Sequence, residues 1–480
     1  MTFPRRSTRG ILLGLSMPQL LVAGVALTLL VVTTVTTGLL GALALTPLWA
    51  ALAVLVAARR HSRSLIDWAP AALRFVWRRR TGQTLWLARA VTRPRQDGLL
   101  HLPGAAASLR VVTPGDSANQ AAAVHDPHHH TLTVVARVTG RAFALLDPAA
   151  QAQAVTGWGR ALAGIARLGN IAAVQVLERT VPDSGSTLAR HWDRQGHPGA
   201  PLAGPVYADL VADAGPAVAP HETYLAIAMD LKAAKNLITQ AGGGMPAAFT
   251  VMQQTTSTVA QAVRSAGLTV TGWLTAHEIA AVVRTAYDPA ALAALQKWSA
   301  TAQAEAPPAA AGPVVQAEEA DRLRTDSSRH TVYWISDWPR VETTPGFLHQ
   351  LIYTPGVRRS LSLVYVPRSL DSALRDVQRR KATIVADAAE RRRRGQVDSE
   401  ADSAEYQDVK DRERQLIAGH ADVALTGLLV VSADTDTLLD AACAQIETAA
   451  VTAQVDLRRL YLQQPAAFTL AALPLARTAL

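Results

Sequence analysis

Between Gly10 and Ala58 the chain carries no charged side chain. A membrane-spanning helix needs about 20 predominantly apolar residues. This run is therefore too long for one span and long enough for two. The expected spans are Gln19–Thr36 and Leu39–Val56, with Thr37-Gly38 as the turn and Pro47 either inside the second span or marking a later start. A cleaved leader has a single apolar core of roughly 7–15 residues, which this run exceeds. Arg5, Arg6 and Arg9 precede the run, Arg59, Arg60 and Arg63 follow it, and the loop between the spans has no arginine or lysine. The positive-inside rule then puts both ends, and all that follows residue 59, on the cytoplasmic side of an inner membrane. Thr33, Thr34, Thr36 and Thr37 either pack the two helices together or bond the carbonyls four residues back in their own helix, and the second is the expectation.

The charge is placed as unevenly as the hydropathy. Residues 1–100 hold thirteen arginines against Asp67 and Asp97, a local +11 that leaves −2 for the rest of a chain whose total is +9. A nucleic-acid reader would carry its basic excess on the folded body, so direct nucleic-acid binding is not expected. Trp68, Phe75, Trp77 and Trp86 alternate with arginines over 59–95. Aromatic and basic residues settle at membrane interfaces, so residues 59–100 are expected to form a basic neck at the bilayer surface. Arg59, Arg60, Arg63, Trp68 and Trp77 are its interface residues. Cys443 is the single cysteine. It excludes an intramolecular disulfide and a cysteine-based zinc cage, and suits a cytosolic body.

That body reads as α/β (α+β), in two lobes. Leu132–Val138, Ile171–Leu177 and Tyr224–Met229 are strand-like. A helix opened by Asp147-Pro148 covers 147–169, and another runs from Ala247 to Ala266. "TAHEIAAVVRTAYDP" (275–289) opens with a Thr275…Glu278 capping box and is closed by Pro289. Residues 301–318, rich in Ala and Pro with no amphipathic period, read as a linker. The division is a hairpin over 1–58, the neck over 59–100, a first lobe over 101–300, the linker over 301–325 and a second lobe over 326–480. In the second lobe, strands at His330–Ser336, Ser360–Val366 and Ala424–Val431 surround a charged helical arm (369–420) with a narrow apolar stripe. The arm is a solvated hairpin or a docking element for a partner helix. The helix Thr435–Ala449 and the strand Val455–Leu460 complete the lobe.

Catalytic motifs are missing. No lysine follows a glycine, which excludes G-x-x-x-x-G-K-[ST] and with it the usual cradle for nucleotide phosphates. No G-x-S-x-G elbow occurs. His277-Glu278 begins like a zincin, but Ala281 stands where the second histidine is needed. "HDPHHH" (125–130) gathers four histidines and Asp126 at a turn without a second ligand cluster. The acidic pair Asp434/Asp436 reads as a helix cap, because the glycine and terminal glutamate of an EF-hand loop are missing. No catalytic residue, cofactor site or metal site is expected.

Two stretches carry a family resemblance. "GLSMPQLLVAGVAL" (14–27) resembles the entrance of PrgI-type small inner-membrane subunits of type IV secretion, through Gly14, Leu15, Gln19 and Leu20. Residues 361–475, ending in "DLRRLYLQQPAAFTLAALPL", resemble the end of the amino-terminal domain of TrbE/CagE-type conjugative ATPases, with Gln464, Phe468, Leu473 and Pro474 in matching places. In those ATPases the motor follows this point. With "AHEIAAVVRTAYDP" between them, the chain is similar to an actinobacterial family associated with conjugation genes, which joins a PrgI-like hairpin to a motor-less copy of that domain. The resemblance implies a non-catalytic scaffold that positions a separate type IV secretion ATPase. Its other implied partners are inner-membrane channel subunits and the lipid bilayer, with self-association left open. EccE-type subunits of type VII secretion, which also pair two spans with a cytosolic domain, are the alternative. A membrane-tethered enzyme with an unrecognised site is a third reading.

Overall fold

The computed structural model describes residues 17–44, 46, 48, 51, 59–60, 63–88, 98–115, 120–140, 143–181, 192, 195–196, 203–214, 220–295, 307–339, 343–393, 400–418 and 420–478. They fall into two compact units. One is Arg5–Leu85 with Tyr461–Gln463, and the other is a body built from Trp86–Leu460 and Gln464–Leu480.

The first unit contains α1 (Met17–Ala44), the short antiparallel pair β1 (Arg59–Arg60) and β2 (Arg63–Ser64), and α2 (Leu65–Arg80). The 18 residues Gln19–Thr36 are long and apolar enough to cross a membrane, which is the expected first span. The helix breaks at Gly38, whose φ of 71° and ψ of −174° are open to a residue without Cβ. The expected turn at Thr37-Gly38 lies at that break. Half of the expected second span, 39–56, lies outside the described residues.

In the body, β3 (Leu85–Leu87) lies at one edge of a thirteen-stranded sheet. A first series of elements follows: β4 (Arg110–Val112), β5 (Ala123–Asp126), β6 (Thr131–Gly140), α3 (Pro148–Arg167), β7 (Ile171–Thr180), α4 (Ala203–Ala214), β8 (His221–Asp230), α5 (Lys235–Gln240), α6 (Gly244–Ser265), β9 (Leu268–Trp273) and α7 (Ala276–Tyr287). A second series comprises β10 (Val315–Glu318), β11 (Leu323–Thr325), β12 (Ser328–Asp337), α8 (His349–Ile352), β13 (Arg358–Pro367), α9 (Leu370–Arg393), α10 (Glu400–Ile417), β14 (Val423–Ala433), α11 (Asp436–Thr452), β15 (Asp456–Arg459) and α12 (Gln464–Ala472).

The two series repeat one topology. In the first, β9, β6, β8 and β7 lie side by side in that order, all antiparallel. In the second, β15, β12, β14 and β13 do the same. Each is a split β-α-β-β-α-β unit in which the last strand flanks the first. Each first strand also continues a short hairpin, β4–β5 before β6 and β10–β11 before β12. Each last strand leads into a further helix, α7 or α12. The copies differ in their crossovers: the second has only the four-residue α8 where the first has α3, and it carries the α9–α10 arm between β13 and β14.

Equivalent strands meet in the middle. β7 pairs antiparallel with β13, Ser362 opposite Leu177 and Leu363 opposite Val176. Antiparallel pairing of equivalent strands gives the two copies a local two-fold relation. The segments expected as separate lobes, 101–300 and 326–480, thus contribute to one sheet. Its antiparallel pairing makes the body α+β, since α/β crossovers would give parallel neighbours. Part of the expected linker is also in the sheet. Val315–Glu318 and Leu323–Thr325 are strands, and Ala311 is fully buried. Arg284 braces this stretch by donating to Gly312 O at 2.8 Å and pairing with Asp326 at 2.7 Å. Residues 301–306 lie outside the described residues.

Alternation along the central strands sorts the core. Ala173 and Leu177 of β7 face α7 and α12 together with Val364 of β13 and Val430 of β14. Val174 and Val176 face the opposite side, which α3 and α6 cover. α11 covers Leu429 and Val431 of β14 on that same side. The arm has its own small apolar seam of Ala373, Val377, Val409 and Leu416. Ion pairs of Lys381 with Glu413, and of Arg412 with Asp376 at 3.3 Å and Asp422 at 2.7 Å, flank it.

Candidate functional site

The membrane-facing candidate begins with α1. Leu21, Val25, Leu27 and Val35 are each at least 60% exposed. A helix that presents this many large apolar side chains needs lipid or protein around it. Its hydroxyls are satisfied internally: Thr28 donates to Gly24 O, Thr34 to Leu30 O and Thr36 to Val32 O, while Thr33 reaches Leu30 O one residue closer. The expectation that the threonines bond the carbonyls four residues back holds for Thr34 and Thr36, whereas Thr33 bonds a carbonyl three residues back. Of the motif positions at this end, Gln19 is buried and Leu20 half-buried, and Gly14 lies outside the described residues.

Among the expected interface residues, Arg59, Arg60 and Arg63 sit on the short β1–β2 pair. The two tryptophans of α2 separate. Trp68 is half-buried, its ring 5.5 Å from Tyr461, whereas Trp77 is 67% exposed. They lie nine positions apart, about 180° around a helix turning 100° per residue.

The motif positions at the other end converge inside the body. Gln464, at the start of α12, is fully buried; its Oε1 accepts from Val332 N at 2.9 Å and its Nε2 donates to Leu460 O at 2.8 Å. One side chain thereby ties α12 to β12 and to the end of β15. Phe468 packs its ring 4.9 Å from Tyr287 of α7 and 4.7 Å from His330 of β12. Leu473 and Pro474 are buried just beyond the helix. Sequence reasoning missed the residue that holds this end in place. Gln175 of β7 donates through Nε2 to Ser362 Oγ, Leu470 O and Leu473 O, and its Oε1 accepts from Ala476 N at 2.7 Å. Its one signal is a polar residue at an inward position within the otherwise apolar run Ile171–Leu177.

Several buried titratable groups of the body are committed to structure. His330 is fully buried between Ser432 Oγ on Nδ1 and Thr325 Oγ1 with Tyr287 O on Nε2, each within 3.3 Å. Burial pushes its pKa down to about 4; the Tyr287 carbonyl opposes the shift, and Arg358 and Arg329 add to it. Arg179 crosses from β7 to Glu222 at 2.7 Å and to Val282 O and Thr285 Oγ1 at 3.0 Å. Burial acts against the Glu222 carboxylate, but Arg179, Tyr224 and Arg137 hold it below the usual range.

The histidine-rich turn is closed in the same way. Asp126 Oδ1 accepts from the His128 and His129 amides, and its Oδ2 lies 2.8 Å from His129 Nδ1 and 3.1 Å from Arg477 Nε. Burial disfavours the charged Asp126, yet Arg477 and His129 keep its pKa below the carboxylate norm. An open concavity of about 420 Å³ beside this turn is lined by Gly104, Ala105, Ala107, Ser108, His128, His129 and Arg477. Among the described residues no group of three or more His, Cys, Asp or Glu is placed to hold a metal ion. The helix expected to be capped by Asp434/Asp436 is capped by Thr435, whose hydroxyl accepts from Leu438 N. The box at Thr275 and Glu278 forms in both directions.

Residues 217–335 match the family model described as putative type VII ESX secretion system translocon, EccE. The stretch is about a quarter of the chain, and runs from β8 through α7 into β12, across the join between the two topological copies. No curated protein matches the chain.

Proposed function

We propose that this chain is a membrane-anchored, non-catalytic subunit of a protein-secretion machine, of the EccE kind found in type VII translocons. The observation that carries this reading is the family match over 217–335, which includes the capped α7 and the His330 strand. The exposed apolar α1 supports it. In this reading the chain crosses the membrane twice, with 39–56 as the second span. The arginines at both ends of the uncharged run hold the termini and the body in the cytoplasm. Other translocon subunits, further copies of the chain and the lipid bilayer are its partners. The arm and the outer helix faces are the surfaces that meet them.

A scaffold of type IV-like conjugation is the second reading. Its support is the resemblance of 14–27 and 361–475, both of which extend beyond the matched residues, and its partner is a separate ATPase. Affinity purification of the tagged chain from detergent-solubilised membranes of its own host separates the two. Translocon subunits of type VII secretion in the eluate support the first reading. A conjugative ATPase with a relaxase or coupling protein supports the second. Neither set in the eluate counts against both.

A further inference from the structure

α2 has two apolar faces, and only one is used. Trp68, Ala71, Ala72 and Phe75 share one side and are half-buried or buried, with Phe75 at 8% exposure. On the other side Ala69, Leu73, Val76 and Trp77 form a second stripe, with Leu73 at 73%, Val76 at 45% and Trp77 at 67% exposure. At 100° per residue this stripe covers an arc of about 100°. Exposed Arg74 and Arg79 flank it, about 60° beyond either edge, and exposed Arg80 ends it on its own axis, whereas Arg78 turns inward and donates to Leu462 O at 3.0 Å.

We infer that this second face of α2 inserts into the anionic cytoplasmic leaflet, Leu73, Val76 and Trp77 among the upper acyl chains and Arg74, Arg79 and Arg80 at the headgroups. Three observations select lipid over a protein partner. The described charged residues beside the stripe are all arginines, on a chain whose first 100 residues carry +11. A tryptophan stands at its edge, the depth at which indole prefers to sit. The helix also starts at Leu65, nine residues past the end of the proposed second span. Even fully extended, that connection reaches no more than about 30 Å. An amphipathic helix held so close to the bilayer gains from apolar burial, and from about 1 kcal/mol per basic side chain at an anionic surface. α2 would then act as a collar that fixes the neck in the membrane plane. The inference rests on the membrane-anchor reading.

The test uses the full chain in nanodiscs, with the buried Cys443 replaced (C443A) and one nitroxide label placed at Leu73→Cys, Trp77→Cys, Val35→Cys or Val451→Cys. Val35 lies in the proposed span, and Val451 is an exposed residue of the body. Collision rates with oxygen and with a water-soluble nickel complex report depth. Labels at 73 and 77 are expected to favour oxygen over nickel several-fold relative to 451. The preference should grow when phosphatidylglycerol replaces part of the phosphatidylcholine, and shrink in R74E/R79E/R80E. Labels at 73 and 77 as aqueous as that at 451, while 35 reads as embedded, overturn the inference and leave the anchor standing. Aqueous readings at 35 as well overturn the anchor itself. Labels at 73 and 77 shielded from both reagents identify a protein contact and overturn the lipid assignment.

Discussion

Acidification tests the buried His330 most sharply. Free histidine titrates near 6.5 and this one near 4, so between those values the unfolded chain binds a proton that the folded chain refuses. The contribution is complete above pH 6.5 and is lost as pH falls towards 4. At pH 5 the loss comes to about 2 kcal/mol, a factor of about 30 in the opening equilibrium. Cys443 supplies the assay, being the single thiol and only 2% exposed on the opposite side of the same sheet. Its labelling by 4,4′-dithiodipyridine, normalised to the unfolded chain at each pH, reports opening of the body. Other groups contribute to the wild-type slope. Burial raises the Glu178 pKa despite the opposing His221 and Arg359, which stabilises the fold towards acid, so the signs differ. The decisive quantity is the difference from His330→Gln, which retains hydrogen-bonding capacity without a titrating proton. Wild type should gain about 30-fold more in labelling than the variant between pH 7.5 and pH 5. Equal slopes in the two proteins would refute the reasoning.

Gln175→Ala strips partners from Leu470 O, Leu473 O and Ala476 N in the buried core, and should cost about 3 kcal/mol or more, read as a lower denaturation midpoint. Phe468→Ala opens a cavity between Tyr287 and His330 and should cost about 3–5 kcal/mol by the same measurement, with Phe468→Leu costing much less. Gly38→Val places a β-branched residue at positive φ and should destabilise the proposed two-span anchor by about 1–2 kcal/mol in a detergent titration. Thr36→Val, which removes only a bond within its own helix, should leave that midpoint unchanged.

What could be read from the residues depended on how local the signal was. The first half of the uncharged run, the capping box at Thr275 and Glu278, and the β-branched strands around 132–138 and 424–431 each occupy one contiguous stretch, and the corresponding elements form. The short strands β4, β5, β10 and β11 span three or four residues each, too few to show a period of two. Val315–Glu318 was hidden further by its Ala/Pro surroundings, because its place is fixed by Arg284 and Asp326 and not by its own pattern. The duplicated topology is non-local in the same sense. It is visible only once β7 meets β13, and the arm inserted before β14 breaks any constant spacing between the copies. At the candidate site, Trp68 and Trp77 look alike in sequence and are told apart only by which face of α2 is covered.

Gln464, Phe468 and Leu473 are consumed by the interior of the body, so partners meet other surfaces. Native electrophoresis of solubilised membranes, from host strains with and without the chain, tests membership in a secretion machine most directly. The chain is expected to migrate in a high-mass complex together with type VII translocon subunits, and that complex is expected to shrink or disappear in its absence. Migration of the chain alone, beside a translocon complex of unchanged size in the deletion strain, would contradict that membership.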